Sequence, residues 1–220
     1  MSESDEIRAK HLEELLQGVF GDLNITQDQR ESLNLYLRVI KNKDVPTFLH
    51  SIRVGLLSVD IADYYGFDKR AFIYAGLLHD LGKCVIDSGL LKTKEPFTEE
   101  DRKKMEVHPE IGFNMLSGIH DFAANILVRH HLFQARPYPR EIPSPRKTFA
   151  EEALEKVGPY ARFIAIADFY DAITSREYIN GFKEINTGSD IKKVALEWKP
   201  ADFLTIAHLL DKGVLNGRYK

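Results

Sequence analysis

The chain has 220 residues, long enough for one well-formed core or for a core with an appended helical segment. Apolar residues make up 44% and charged residues 29%, with a formal net charge of −3, a balance that gives no sign of a nucleic-acid or membrane surface as the main partner. No apolar run approaches the roughly 20 residues that span a bilayer, the opening MSESDEIRAK lacks the basic-then-apolar layout of a signal peptide, and a single cysteine, Cys84, agrees with a reducing compartment, so the expected location is the cytoplasm.

Ile7, Leu12, Leu15, Leu16 and Val19 recur at helical spacing and predict a first helix that stops near Gly18 and Gly21. Thr26 or Asp28 opens a second, through Leu33, Leu35, Leu37 and Ile40. Asp44-Val45-Pro46 is a cap followed by proline in the first turn, and starts a helix that runs from Phe48 to Tyr65 and stops at Gly66. Asp68 caps the next, Lys69 to Leu81, which is apolar almost all round and therefore central, with Gly82 ending it. Ser88-Gly89 reads as a turn. Thr98 caps a helix with Glu99, Glu100 and Asp101 in its first turn, where acids suit the helix dipole.

Pro109 kinks or restarts that helix, Gly118 closes it, and Asp121 opens another that ends at His130-His131. Four prolines between Arg136 and Thr148 predict a loop. Pro159 begins an apolar helix to about Thr174, and shorter helices follow over Ser189–Trp198 and Ala201–Leu210. Only residues 163–167 could pass for a strand, and the pattern around them continues at helical length. The reading is all-α, with an N-terminal helical extension over residues 1–45 and the functional unit over 46–220.

Metal-ligand residue types stand out against these apolar helices: His50, His79-Asp80, His108, His130-His131 and Asp168, each inside or at the end of a different predicted helix. Burying such groups unpaired costs several kcal/mol. Imidazole and carboxylate suit iron, manganese, zinc or a similar cation, and one metal cluster would satisfy them together. A lone histidine on an apolar helix is more often a satisfied core residue, so His11, His120 and His208, which lack ligand-type company, are set aside. Two cations would let Asp80 bridge them through its two oxygens and would activate a water between them near neutral pH. Lys83, one turn from Asp80, could face the same pocket, or it could simply complement the end of its helix.

HDLGK at His79–Lys83 resembles the signature of the HD superfamily of metal-dependent phosphohydrolases, in which an upstream His, the His-Asp doublet and a later Asp bind metal; here these fall on His50, His79, Asp80 and Asp168. The likeness extends to the HD-GYP phosphodiesterases through Ile86-Asp87, Leu90-Leu91-Lys92, Phe97-Thr98-Glu99-Glu100, His108 with Gly112, the pair His130-His131, and Ala161-Arg162-Phe163 through Ala167-Asp168 and Asp171-Ala172. It covers about residues 46–180. After the His-His pair the family continues with Glu, Asp-Gly and Gly-Tyr-Pro, whereas this chain has Leu132 for the Glu, no Asp-Gly, and Pro137 before Tyr138-Pro139, a degenerate GYP motif. Pro46 stands where three-metal members carry a Glu.

The resemblance implies an HD-domain helical bundle with short additional N- and C-terminal helices and two divalent metal ions, iron or manganese first, with magnesium, nickel, cobalt or zinc also compatible. The implied metal ligands are His50, His79, Asp80, His108, His130, His131 and Asp168. Asp80 and Lys83 are the implied catalytic pair, and Lys83, Asp171, Arg176 and Tyr138 the substrate contacts. Asp171 could instead accept a hydrogen bond from a ligand histidine, and Arg53, one turn past His50, leans toward holding a carboxylate. Lys92, Lys94, Arg136, Arg140 and Arg146 could ring the mouth, though solvated loop charges are the more ordinary reading of each. Cys84 reads as a small packing residue.

The expected function is phosphodiester hydrolysis of a cyclic dinucleotide or related nucleotide by a metal-bound hydroxide. The alternatives are a phosphomonoesterase or nucleotidase of the same superfamily, and a catalytically weak binding module. The expected partner is a small phosphorylated or cyclic nucleotide, with no nucleic acid and no membrane, and a homodimer is compatible with the sequence.

Overall fold

The computed structural model describes residues 3–93, 96–175 and 187–219, and among these there is no strand. Helix α1 (Glu3–Asp22) leads into α2 (Gln27–Lys43), which opens on a reciprocal capping box between Thr26 and Gln29. Asp44 accepts a hydrogen bond from the Thr47 amide and caps α3 (Val45–Tyr65), which stops at Gly66, where φ is +70°. Asp68 caps α4 (Lys69–Leu78). A 3-10 turn over Leu81–Val85 follows, then α5 (Ser88–Lys92), α6 (Glu99–Met105, capped by Thr98), α7 (His108–Leu116) and α8 (Asp121–Leu127). A second 3-10 turn spans His130–Phe133, and α9 (Glu151–Ser175), α10 (Gly188–Trp198) and α11 (Phe203–Asp211) complete the order.

Helix α3 packs along both α4 and α9, and these three organise two adjoining cores. One joins them to α10 and α11 through Leu57, Phe72, Ile164, Val194 and Leu209. The other joins α3 and α4 to α1, α2, α7 and α8 through Leu16, Leu33, Ile52, Leu77, Leu116 and Leu127. Each large apolar side chain so buried contributes on the order of 1.5–3 kcal/mol. The two N-terminal helices are thus packed into the same core as the helices that carry the histidines.

The closeness of α3 and α4 comes from two glycines. A Cβ on Gly76 would meet the Gly55 Cα at 2.8 Å, and one on Gly55 would meet Leu77 Cδ2 at 2.7 Å. Glycine at position 76 lets the two backbones touch, close to the points where α3 carries His50 and α4 ends at His79.

The structure amends the sequence reading in several places. Helix α4 ends at Leu78, not Leu81, so His79-Asp80 lie at its broken end. Ser88-Gly89 opens the short α5, because Asp87 accepts from the Gly89 and Leu90 amides. Helix α8 stops at Leu127, and His130-His131 belong to a separate turn. Helix α9 begins at Glu151 and runs straight through Pro159. Proline removes one helical hydrogen bond, but burial of Val157, Tyr160 and Ala161 on either side outweighs that local cost.

The expectation that no segment approaches membrane-spanning length is also amended. Helix α3, with 21 residues and a mean hydropathy of 1.2 over its most apolar window, passes by length and composition, and 72% of that window is buried inside the protein. It is the central core helix and carries His50.

Candidate metal centre

Three of the ligand histidines are set by one local construction. His79 and His130 follow the ends of α4 and α8, and His108 opens α7 just after α6 ends; each donates Nδ1–H back to a carbonyl in the last turn of the preceding helix: Gly76 O at 2.8 Å, Met105 O at 2.8 Å and Leu127 O at 2.5 Å. Those carbonyls are among the groups a helix end leaves without intrahelical partners. The bond fixes the tautomer, so Nε2 carries a lone pair and points inward. His50 achieves the same from within α3 by donating Nδ1–H to Asp171 Oδ2 at 2.7 Å.

The inward atoms form two overlapping groups that share Asp80, and a third combination, His79, His130 and Asp168, lies across them with its atoms within 4.8 Å of one another. Oδ2 of Asp80 lies 3.6 Å from His50 Nε2 and 3.4 Å from His79 Nε2, and Oδ1 lies 3.3 Å from His108 Nε2. Asp168 Oδ1 closes the first group, 3.1 Å from His50 Nε2 and 3.8 Å from His79 Nε2. His130 and His131 complete the second, whose four ligand atoms all lie within 4.8 Å of one another. The structure therefore brings together all seven residues that the sequence singles out as ligands.

The hydrogen-bond balance shows that a cation fits. Asp80 Oδ1 and the Nε2 atoms of His108, His130 and His131 are buried with no hydrogen-bond partner. Asp80 Oδ1 and His108 Nε2 face each other as two acceptors, which repel. His50 and His79 do the same, Nε2 to Nε2 at 3.2 Å, unless one takes up a second proton. Buried acceptors set lone pair against lone pair are costly, and a cation between them removes the conflict.

The ionisation of the pocket points the same way. Burial pushes His130 down to about 3, with His79 and His108 adding to it. Burial likewise lowers His131 and His108, so all three offer neutral imidazoles. For His50 burial also opposes charging, but its hydrogen bonds to Asp168 and Asp171 outweigh that and raise it. Burial alone would raise Asp80 and Asp168; Lys83 and His79 hold Asp80, and His50 and His79 hold Asp168, well below the usual carboxylate range. The second group offers neutral imidazoles beside an ionised carboxylate, and together with Asp168, His50 and His79 the centre has the donor types of a divalent-metal site.

Lys83 Nζ lies 2.6 Å from Asp80 Oδ2 and faces the pocket as the spacing predicts. Asp171 is fully engaged by protein: Arg53 makes a two-point contact with it at 2.7 and 2.9 Å, Ser175 donates at 3.1 Å, and His50 takes the remaining place. Of the two roles open to Asp171, the geometry therefore favours orienting His50 over touching substrate, and Arg53 holds a carboxylate as expected. Tyr138 packs its ring 4.4 Å from His131 and 6.1 Å from His108, so it covers the second group of ligands.

Arg176 and Lys94 lie outside the described residues. Arg136 is exposed and pairs with Glu99, consistent with the ordinary reading of that cation. His120 and His208 bond to Ser32 and Tyr64, away from the centre. Cys84 is half-buried, and burial pushes its thiol up to about 11. Sequence reasoning passes over Lys199, which is only 9% exposed and donates to the Phe133 carbonyl at 3.1 Å. No periodicity or motif marks a lysine at the end of a C-terminal helix as buried.

The HD domain model matches residues 47–173, and the chain belongs to the HD domain family. Among curated proteins it is 29% identical over 182 residues to the cyclic di-GMP phosphodiesterase response regulator RpfG of Xanthomonas campestris pv. campestris, covering 79% of this chain and 45% of that protein. It is 30% identical over 155 residues to a cyclic di-GMP phosphodiesterase of Thermotoga maritima, covering 66% of this chain and 39% of that protein. The chain thus spans less than half the length of these relatives. Among solved structures, the HD domain of the Listeria monocytogenes phosphodiesterase PgpH superposes with a TM-score of 0.50 at 19% identity, covering 84% of this chain and 86% of that one, which supports the all-α HD fold.

Proposed function

We propose that this chain is a metal-dependent phosphohydrolase, a binuclear phosphodiesterase that opens a cyclic dinucleotide or a related nucleotide. The observation that carries the reading is the placement of Asp80, whose Oδ2 faces His50 and His79 while its Oδ1 faces His108. His50, His79, Asp80 and Asp168 would hold one cation, and Asp80, His108, His130 and His131 the other. Divalent cations in those places supply Lewis acidity, which activates water and polarises a phosphoryl group.

The chain's own residues supply the rest. Nδ1 bonds on four of the ligand histidines keep their Nε2 lone pairs aimed inward. Lys83 pairs with Asp80 in the present geometry; with Asp80 engaged by cations, its ammonium would be placed to meet a phosphate oxygen or the departing alkoxide. Asp168 and Lys83 keep 20% and 16% of their side chains exposed, while His79 and His108 are closed off. Substrate therefore approaches over Asp168 and Lys83.

The curated relatives named above are cyclic di-GMP phosphodiesterases, and the Listeria domain has been solved with cyclic-di-AMP, so a cyclic dinucleotide is the substrate class favoured. Leu132 and Pro137 alter the loop that resembles the family's GYP segment, which argues for a substrate contact different from that of cyclic di-GMP. The test is hydrolysis of bis(p-nitrophenyl) phosphate by metal-loaded protein with Mn²⁺ or Fe²⁺, alongside measurement of bound metal. Activity is expected, and Asp80→Ala should lower it by roughly 100- to 1,000-fold or more. No bound metal and no turnover would sink the reading; turnover of a phosphomonoester but not of the diester would replace it with a nucleotidase.

A further inference from the structure

We infer that the C-terminal pair α10–α11 is part of the metal centre's machinery, and that Lys199 is a positioning residue for the second cation through its grip on the His130–Phe133 turn. The inference rests on the two-cation reading above.

Lys199 is the C-cap of α10, immediately before Pro200, and its side chain is almost fully buried. A buried ammonium is expensive unless something nearby compensates it. Its described hydrogen bond is not to its own helix end. It reaches 66 positions back in the chain to the Phe133 carbonyl, at 3.1 Å. Phe133 is the last residue of the turn that begins with His130-His131.

The same residue is held from a second side. The Arg162 guanidinium lies 6.0 Å above the Phe133 ring. Arg162 is in turn fastened to the turn between α10 and α11, by Asp202 and by the Ala201 carbonyl at 2.8 Å. Residues 199–202 thus grip Phe133 by its carbonyl and, through Arg162, by its ring. At its other end the turn is held by the His130 bond to Leu127. Asp168 and Asp202 lie close enough to Lys199 to offset part of its burial.

This matters most for the second cation. The gripped turn carries two of its ligands, His130 and His131, whereas of the first set only Asp168 lies on an element, α9, that residues 201–202 also hold, through Arg162. Residues 199–202 lie C-terminal to the matched family segment, 47–173, while Phe133 and Arg162, which they hold, lie inside it. Loss of the ammonium should free the turn, loosen His130 and His131, and weaken one of two binding events.

The experiment is Mn²⁺ titration of the metal-stripped full chain, followed by calorimetry and by electron paramagnetic resonance. The unaltered chain should bind two equivalents and develop the exchange-coupled signal of a metal pair. Lys199→Met should bind the first equivalent as before and the second about 10- to 100-fold more weakly, leaving an isolated Mn²⁺ signal at one equivalent. Lys199→Arg, which keeps charge and reach, should restore most of the second event. If Lys199→Met does not fold, Lys199→Gln takes its place with the same expected outcome. Two unchanged binding events in the charge-removing variant, or equal weakening of both, would overturn the inference. A single event in the unaltered chain would overturn the two-cation reading instead.

Discussion

The Nδ1 atom of a ligand imidazole decides where its partner Nε2 points. In His50 that atom is held by Asp171, which Arg53 anchors in turn. Asp171→Asn keeps the size and removes the charge, so metal affinity is expected to fall by about 10- to 100-fold in a titration; an unchanged affinity would remove Asp171 from the centre's support. His130 gives a pH signature. Folded, it stays neutral down to about 3, while in the unfolded chain it charges below about 6.5. Between those values the unfolded state binds the extra proton, so stability rises with pH across that window and is lost on acidification. The metal-free chain is therefore expected to lose on the order of a few kcal/mol between pH 6.5 and 4 from this group, seen as a falling Tm, and His130→Gln should show a shallower fall. A parallel pH dependence in the two proteins would contradict the assignment. His50 works in the opposite sense, since its raised value adds stability that disappears as pH climbs above it.

At the scale of elements, the doublet His79-Asp80 is useful because α4 stops short. The sequence carries the apolar pattern on to Leu81, but the chain leaves the α-helix after Leu78 and tightens into a 3-10 turn. Gly82 in that turn sits against α7: a Cβ there would overlap the His108 carbonyl oxygen and lie 2.8 Å from the Gly112 amide. The obstacle is backbone on both counts and cannot rotate away. Gly82→Ala should therefore cost about 1–3 kcal/mol or more and shift His108, with a lower Tm and a weakened metal response. A Tm within a degree of the unaltered protein would show that α7 can move aside freely. Helix α9 teaches the converse lesson, since Pro159 marks a start by local rules and lies mid-helix because its neighbours are buried.

At the scale of the whole molecule, the centre joins elements from distant parts of the chain, so its occupancy should be felt as global stability. A cation held at 100 times its dissociation constant adds about 2.7 kcal/mol to the folded state. For a domain of this size that corresponds to a Tm rise of about 5–11 °C per site, which a chelator should reverse. Equal Tm values with and without Mn²⁺ would mean that the buried acceptors are satisfied in some other way.

Much of this was legible in one dimension. The caps Thr26, Asp44, Asp68 and Thr98 announce their helices because a short polar side chain ahead of an apolar periodic run has a local task. His50, His79, Asp80, His108, His130, His131 and Asp168 stood out because polar ligand types on apolar helices need a shared partner, and their order matched a family. The tertiary structure alone decided which oxygen of Asp80 faces which imidazoles, that Asp171 is taken by Arg53 and His50, that Tyr138 covers the second group, and that Lys199 is buried beneath the His130–Phe133 turn. The physical reason is range. Capping and periodicity act over a few residues and leave a trace in the sequence, whereas the partner of a long, flexible side chain is chosen by whatever the packed helices bring to its end.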